Sequence, residues 1–161
     1  MSRLRIGTGV DVHAFTAGDA VYLGGVRVPH THGVLAHSDG DVLLHALCDA
    51  LFGAAGLGDI GQHFPDSEPR YKGIASLELL GLTLNRVREQ GFDLVNIDLT
   101  LLAENPRLGP FRDAIRTSIA QTVGLPVSCV NIKATTTEKL GFLGRGEGIA
   151  AHAAVLLELR V

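Results

Sequence analysis

Tryptophan is absent from this chain, and aromatic residues make up only 5% of it. A protein that binds single-stranded nucleic acid needs aromatic rings on which bases stack and a basic groove that follows the phosphates. The formal net charge of -3 leaves no excess of positive charge for such a groove. The composition therefore argues against nucleic acid as a partner.

Cysteines and long apolar runs are scarce as well. Cys48 and Cys129 are far apart in the sequence and neither belongs to a CxxC pair, so we expect two small buried side chains in a reducing compartment rather than a disulfide. No segment approaches the roughly 20 apolar residues that cross a bilayer, and the first residues do not resemble a signal peptide. These absences predict a cytoplasmic protein without a membrane segment.

The chain does contain enough apolar residues for a core. A length of 161 residues with 46% hydrophobic content predicts one domain over residues 1–161. Alternating apolar residues predict strands early and late in the chain, with helices between them. Because strand and helix do not alternate strictly, we expect an α+β fold in which helices cover one face of a mixed or antiparallel sheet. The other face of the sheet would also need to be buried, and association with further copies of the chain is the simplest way to bury it.

The last predicted strand, about residues 149–159, differs from the others in its pattern. It is apolar at both odd and even positions. Strands buried on both faces read as continuous apolar runs. We therefore expect both of its faces to be covered.

Two candidate metal ligands stand two residues apart in an early strand. Side chains alternate between the faces of a strand, so Asp11 and His13 point the same way. A catalytic zinc site needs three protein ligands, and His45 on the following predicted helix is the best third candidate. Metal-bound histidines usually donate their second ring N–H to an oxygen, and Asp41 or Asp49 on the same helical stripe could accept it.

The segments around that helix have simpler interpretations. Ser38 or Asp39 could cap its first turn. His30 and His32 follow a proline in a stretch without strand periodicity, which predicts solvated side chains. Residues 56–73 are rich in glycine and proline but interleaved with apolar residues, so we interpret them as a substrate-facing loop.

A second polar cluster occupies residues 134–141, where a predicted strand ends. Thr135 and Glu138 have the spacing of a capping box at the start of a short helical turn. Such a turn leaves N–H donors unpaired within itself and favours phosphate. Glu138 could either fold back as a cap or bind a hard divalent cation, and the local sequence favours the cap. Arg145 is a candidate phosphate clamp.

Taken together, these motifs resemble those of a known enzyme family. Four motifs carry the resemblance, and they occur in the same order as in that family. They are Asp11-Val12-His13; Ala36-His37-Ser38-Asp39-Gly40-Asp41 with His45; Gly58-Asp59-Ile60-Gly61 with Phe64-Pro65-Asp66; and Ala134 to Leu140 with Gly144-Arg145-Gly146-Glu147-Gly148. They extend over nearly the whole chain and are similar to the 2-C-methyl-D-erythritol 2,4-cyclodiphosphate synthases. The resemblance implies a ferredoxin-like layer whose open face is turned towards the axis of a homotrimer, with active sites between subunits. It also implies cyclisation of a cytidine diphosphate substrate in non-mevalonate isoprenoid synthesis.

The resemblance further implies a role for individual residues. Asp11, His13 and His45 would hold zinc, and His37 and Thr136 would stabilise the transition state. Glu138 would hold a second cation, magnesium or manganese, which reverses the local preference for a cap. The implied substrate-binding residues are Asp11, Val12, His13, His37, Ser38, Asp59, Ile60, Gly61, Phe64, Pro65, Asp66, Ser67, Glu68, Ala103, Glu104, Asn105, Pro106, Arg107, Leu108, Gly109, Ala134, Thr135, Thr136, Thr137, Glu138, Phe142 and Arg145.

The chain departs from the family pattern at two places. Val10 replaces a phenylalanine that many relatives turn towards the trimer axis, and Glu104-Asn105-Pro106-Arg107 replaces the more usual Gln-x-Pro-Lys. Two other interpretations stay open at this point. The same metals could activate water in a zinc phosphohydrolase, or the chain could be a non-catalytic trimeric carrier for a nucleotide or prenyl diphosphate.

Overall fold

The computed structural model describes residues 3–65 and 67–160. Its strands and helices, in chain order, are β1 (Leu4–Thr16), β2 (Ala20–Leu23), β3 (Val26–Pro29), β4 (Gly33–Val34), α1 (Val42–Ala55), α2 (Ile60–His63), α3 (Ser76–Glu89), β5 (Phe92–Leu102), α4 (Arg112–Val123), β6 (Val130–Thr135), α5 (Gly141–Gly144) and β7 (Gly148–Leu159). Within the described residues, no helix is both long enough and apolar enough to cross a bilayer.

Five strands form one mixed sheet in the order β4-β1-β7-β5-β6. The β1, β7 and β5 neighbours are antiparallel, and β5 and β6 are parallel. The strands β2 and β3 form a separate hairpin across Gly24 and Gly25, as their spacing predicts. The prediction of an α+β fold with a mixed sheet is confirmed.

Helix α1 lies directly against β1 and β7, and its approach depends on glycine. A Cβ atom added at Gly7 would lie 2.0 Å from the Ala50 carbonyl oxygen, and one at Gly9 would lie 2.0 Å from that of Ala46. Both contacts are shorter than any that real Cβ atoms make, so only glycine lets strand and helix meet. The close contact places the first half of β1 along α1 between Ala46 and Ala54.

The opposite side of β1 carries exposed apolar side chains. Ile6 is 76% exposed, Val10 62% and Val12 46%. Along β7, Ala151 and the odd-numbered residues after it up to Leu157 are buried, whereas His152, Ala154 and Leu156 are half-buried. Within a single chain, the last strand is therefore covered on the face that packs against the helices. Its other face is only partly covered, so the prediction that both faces are covered is met for one face.

The cap of α1 differs from the sequence-based prediction. Neither Ser38 nor Asp39 caps this helix; Asp41 does, accepting a hydrogen bond from the Leu44 N–H at 3.2 Å. Its carboxylate also accepts from Gly24 N at 3.0 Å and Gly25 N at 2.7 Å. Those two donors lie in the β2–β3 hairpin, so the choice of cap depends on a contact that local sequence does not reveal.

The predicted capping box of Thr135 and Glu138 does not form. Residues 136–140 are a turn in which Glu138 and Lys139 adopt left-handed φ angles of 53° and 63°. The short helix starts at Gly141 instead, and its cap residue Leu140 makes no side-chain capping bond. Of the two cysteines, Cys48 is buried as predicted, whereas Cys129 is only half-buried; both are free.

Candidate metal and substrate site

The structure brings Asp11, His13 and His45 together. Asp11 and His13 project from the same face of β1, and His45 projects from the first turn of α1. His13 Nε2 lies 2.9 Å from Asp11 Oδ2, and His45 Nδ1 lies 3.2 Å from both of those atoms. One carboxylate oxygen and two imidazole nitrogens facing one point form a donor set that fits a divalent metal such as zinc.

The charges at this point also favour a cation. Burial by itself raises the pKa of Asp11, but the interactions of its carboxylate with the His13 and His45 side chains outweigh burial and hold that pKa well below its usual range. Burial disfavours the charged form of His13, yet the hydrogen bond and charge of Asp11 raise its pKa above the ordinary value. The carboxylate therefore stays ionised, and positive charge is stabilised beside it.

The far nitrogen of His45 faces two hydroxyl groups. Its Nε2 lies 3.0 Å from Ser76 Oγ and 3.1 Å from Ser38 Oγ. The predicted partners Asp41 and Asp49 are engaged elsewhere: Asp41 with the hairpin, and Asp49 with the Ile60 N–H at 2.7 Å. Expecting Asp41 or Asp49 in this role was wrong, because the helical stripe predicts a common face but not which groups pack against it.

A cavity of about 300 Å³ opens beside the three residues. Its lining residues are His13, Leu35, Ala36, His37, Ser38, His45, Ile60, Gly61, Phe64, Tyr71, Ile74 and Leu79. Five of the implied substrate-binding residues other than His13 are thus in one place: His37, Ser38, Ile60, Gly61 and Phe64. The loop interpreted as substrate-facing does form one wall of this cavity.

Other implied residues of the same loop do not line that cavity. Asp59 caps α2, accepting from the Gln62 N–H at 2.9 Å, and Glu68 pairs with Arg70. Pro65 and Ser67 are further along the loop, and Asp66 is outside the described residues. Val12 projects from the opposite face of β1 from Asp11, so only its backbone can face the cavity.

The implied nucleotide-binding residues form a second group at the ends of β5 and β6. Because these strands are parallel, Ala103–Gly109 and Ala134–Thr137 leave the same sheet edge. Ala103 N donates to Thr135 O at 3.1 Å, and Glu104 Oε1 accepts from Thr137 N at 3.2 Å. The two segments are therefore fixed to each other.

Glu138 belongs to this second group rather than to the metal cluster. The cluster found among the described residues consists of Asp11, His13 and His45 alone. Glu138 Oε1 instead accepts a hydrogen bond from Thr136 Oγ1 at 3.1 Å. Nearby, Arg145 pairs with Glu147 at 2.8 Å, and Phe142 is 44% exposed.

The prediction that His30 and His32 are simply solvated is only partly right. His32 is exposed, but both rings pack against Phe15, with centroid distances of 4.7 Å for His30 and 5.9 Å for His32. These three rings line a larger cavity of about 820 Å³ together with Glu104 and Arg107. The absence of strand periodicity could not reveal this contact, because Phe15 comes from the end of β1.

Comparison with known proteins places this arrangement in a family. The model of the YgbB family matches residues 4–158. The chain belongs to the YgbB family. The curated 2-C-methyl-D-erythritol 2,4-cyclodiphosphate synthase of Thioalkalivibrio sulfidiphilus is 57% identical over 158 residues, which are 98% of this chain and 99% of that protein. That of Syntrophobacter fumaroxidans is 60% identical over 96% of this chain and 97% of its own length.

Solved structures of the family have the same fold. The bifunctional IspDF of Campylobacter jejuni is 48% identical with a TM-score of 0.93, and the match covers 97% of this chain but 42% of that longer chain. IspF of Plasmodium falciparum, solved as a CDP complex, is 30% identical with a TM-score of 0.87, covering 100% of this chain and 99% of that one. The motif-based assignment to this family is confirmed.

Proposed function

We propose that this protein converts 4-diphosphocytidyl-2-C-methyl-D-erythritol 2-phosphate into 2-C-methyl-D-erythritol 2,4-cyclodiphosphate and CMP. An oxygen of the 2-phosphate attacks the β-phosphorus, and the bond from that phosphorus to the oxygen bridging it to the α-phosphorus breaks. The bridging oxygen leaves with CMP. The observation that carries the proposal is the convergence of Asp11, His13 and His45 beside a cavity lined by His37 and Ser38, in a chain that belongs to the YgbB family.

The residue types suit phosphoryl transfer, which depends on position and charge rather than on a nucleophilic side chain. Asp11, His13 and His45 would hold zinc, which when bound would polarise the β-phosphate as a Lewis acid. Glu138 would hold magnesium or manganese, which would neutralise negative charge on the phosphates. His37 and the Thr136 hydroxyl would donate hydrogen bonds to the phosphate oxygens as negative charge develops there.

The remaining predicted residues divide between the two ends of the substrate. The methylerythritol phosphate would be received by His37, Ser38, residues 59–61 and Phe64 to Glu68. Ala103 to Gly109 and Ala134 to Thr137 would receive the cytidine diphosphate, supported by the relatives solved with CDP. Phe142 and Arg145 would border the nucleotide end.

The proposed assembly is a homotrimer built on a ferredoxin-like layer, with active sites between neighbouring subunits. The exposed apolar side chains of Ile6, Val10 and Val12 support this arrangement. Contiguous apolar side chains on an open sheet face are covered in stable proteins. We propose that the open face is turned towards the trimer axis.

Product analysis by phosphorus NMR tests the function. The unaltered protein with zinc and magnesium should yield a cyclic diphosphate and CMP in equal amounts, and both His45→Ala and Asp11→Ala should lose zinc and turnover. The matched control is Asp113→Ala, which removes an aspartate whose side chain is 96% exposed on α4 and should change neither. Release of inorganic phosphate would indicate a phosphohydrolase instead. Tight CDP binding without turnover would indicate a carrier, and full zinc content in His45→Ala would refute the ligand assignment.

A further inference from the structure

Ser76 is a buried polar residue for which the sequence-based assignment offered no role. It is the first residue of α3 and is 0% exposed. Its hydroxyl lies 3.0 Å from His45 Nε2 and makes a very short hydrogen bond to Asp39 Oδ1. The hydroxyl therefore connects the Asp39 carboxylate to the ring nitrogen of His45 that points away from Asp11 and His13.

The position of each proton in this chain of contacts follows from the number of donors. The Asp39 carboxylate can only accept, and it accepts from Ser76 Oγ, from Ser76 N at 3.0 Å and from Asp41 N at 3.2 Å. The single hydroxyl proton of Ser76 is thus committed to Asp39. What remains on Ser76 Oγ is a lone pair, which can only accept the N–H of His45 Nε2.

Ser38 does not determine the proton position in the same way. Its Oγ lies 3.1 Å from His45 Nε2 and accepts the Gly40 N–H at 3.2 Å. Its own proton has no carboxylate acceptor among these contacts, so it can turn towards Nε2 or away from it. Ser38 can hydrogen-bond to Nε2 whether or not that nitrogen carries a proton. Ser76 can do so only when Nε2 carries one.

We propose that Ser76, oriented by Asp39, is a positioning residue that keeps the proton of His45 on Nε2 and so leaves the Nδ1 lone pair available to a metal ion. This inference rests on the proposed metal site. Asp39 and Ser76 are 37 residues apart, and the contact connects the start of α3 to the segment before α1. The same contact thus fixes both the direction of the imidazole ring and its tautomer.

Zinc affinity measures this role without any turnover. Outer partners of metal-bound histidines typically contribute about 10- to 100-fold in affinity. In competition with a chromophoric chelator at neutral pH, Ser76→Ala should therefore bind zinc about 10- to 100-fold more weakly than the unaltered protein. Ser118→Ala removes the hydroxyl of a half-buried serine on α4 and should leave the affinity unchanged.

Asp39→Asn provides a second, nearly isosteric variant. An amide NH₂ that replaces Oδ1 would donate to Ser76 Oγ, which frees the hydroxyl proton to turn towards His45 Nε2. The variant should weaken zinc binding to a similar extent, although it changes the volume of the side chain very little. Circular dichroism of both variants would establish that each has the fold of the unaltered protein.

A spectroscopic readout separates positioning from general loosening. In the zinc-loaded protein with ¹⁵N-labelled histidine, the His45 Nε2–H should give a slowly exchanging cross-peak, and Ser76→Ala should broaden or lose it. Zinc affinity within twofold of the unaltered protein in both variants would overturn the positioning role alone. Absence of zinc binding by the unaltered protein would overturn this inference together with the proposed metal site.

Discussion

Asp41 offers a direct test of how the structure holds α1 in place. Its side chain is 0% exposed, and three backbone N–H groups donate to it, from Gly24, Gly25 and Leu44. Burial raises the pKa of this carboxyl from its ordinary value of 3.8 to about 6. Asp41→Asn would turn an NH₂ group towards one of those N–H groups, and the unsatisfied donor should cost about 1–3 kcal/mol.

The contribution of Asp41 to the free energy of unfolding changes with pH in the opposite direction from that of an ordinary ion-paired aspartate. Between pH 3.8 and about 6 the folded protein binds the Asp41 proton while the unfolded chain releases it. The contribution of Asp41 to the free energy of unfolding therefore falls as pH rises. The difference between the two pKa values corresponds to about 3 kcal/mol over the whole pH range, of which about half falls between pH 5 and pH 8. Asparagine does not titrate, so the variant isolates this contribution.

Urea unfolding of the two proteins at matched protomer concentration, at pH 5 and pH 8, measures the difference. The stability advantage of the unaltered protein over Asp41→Asn should shrink by about 1–2 kcal/mol at the higher pH, as the linkage relation requires. An advantage that grows with pH would show that the N–H donors of Gly24 and Gly25 outweigh burial of the charge. The reasoning about Asp41 would then be wrong.

Two further predictions concern the close contact between β1 and α1 and the proposed subunit boundary. Gly9→Ala should destabilise the protein by about 1–3 kcal/mol or more and weaken zinc binding, because the new Cβ would meet the backbone of α1. The control is Gly81→Ala on α3, where the new Cβ would have nothing within 4 Å. It should be neutral or stabilise the protein by up to about 1 kcal/mol. Similar urea unfolding midpoints for Gly9→Ala and Gly81→Ala would contradict the prediction. Co-expression of His45→Ala with Thr136→Ala should restore part of the activity that each variant lacks alone, and activity no higher than either variant's would argue against sites shared between subunits.

The sequence was sufficient for features that depend on local periodicity. The alternation in β1 placed Asp11 and His13 on one face, and both lie there. Leu77, Leu80, Leu84 and Val87 have the spacing of one helix face, and α3 extends from Ser76 to Glu89. In each case the physical cause of the structure lies within one element, since side-chain direction follows from backbone geometry.

The failed capping predictions involve partners distant in the chain. The stretch Ser38-Asp39-Gly40-Asp41 offers three side chains that could cap a helix, and the N–H groups of Gly24 and Gly25 decide between them. Likewise, the turn containing Glu138 is held by Glu104, whose Oε1 accepts from the N–H groups of Thr137 and Lys139. Capping rules consider a few neighbouring residues, so they cannot include such distant donors and acceptors.

Sheet register gives a geometric argument for the proposed sharing of the site between subunits. Asp11 pairs with Ala151, Ala151 with Leu101, and Leu101 with Ala134. The strand that carries Asp11 and His13 and the strand leading to Thr136 are thus in one row but three strand spacings apart, which is roughly 14 Å at the usual separation. Groups that stabilise one transferring phosphoryl group must all lie within hydrogen-bonding or coordination distance of it. A separation of three strands within one chain therefore favours a site in which a neighbouring copy supplies the second group of residues.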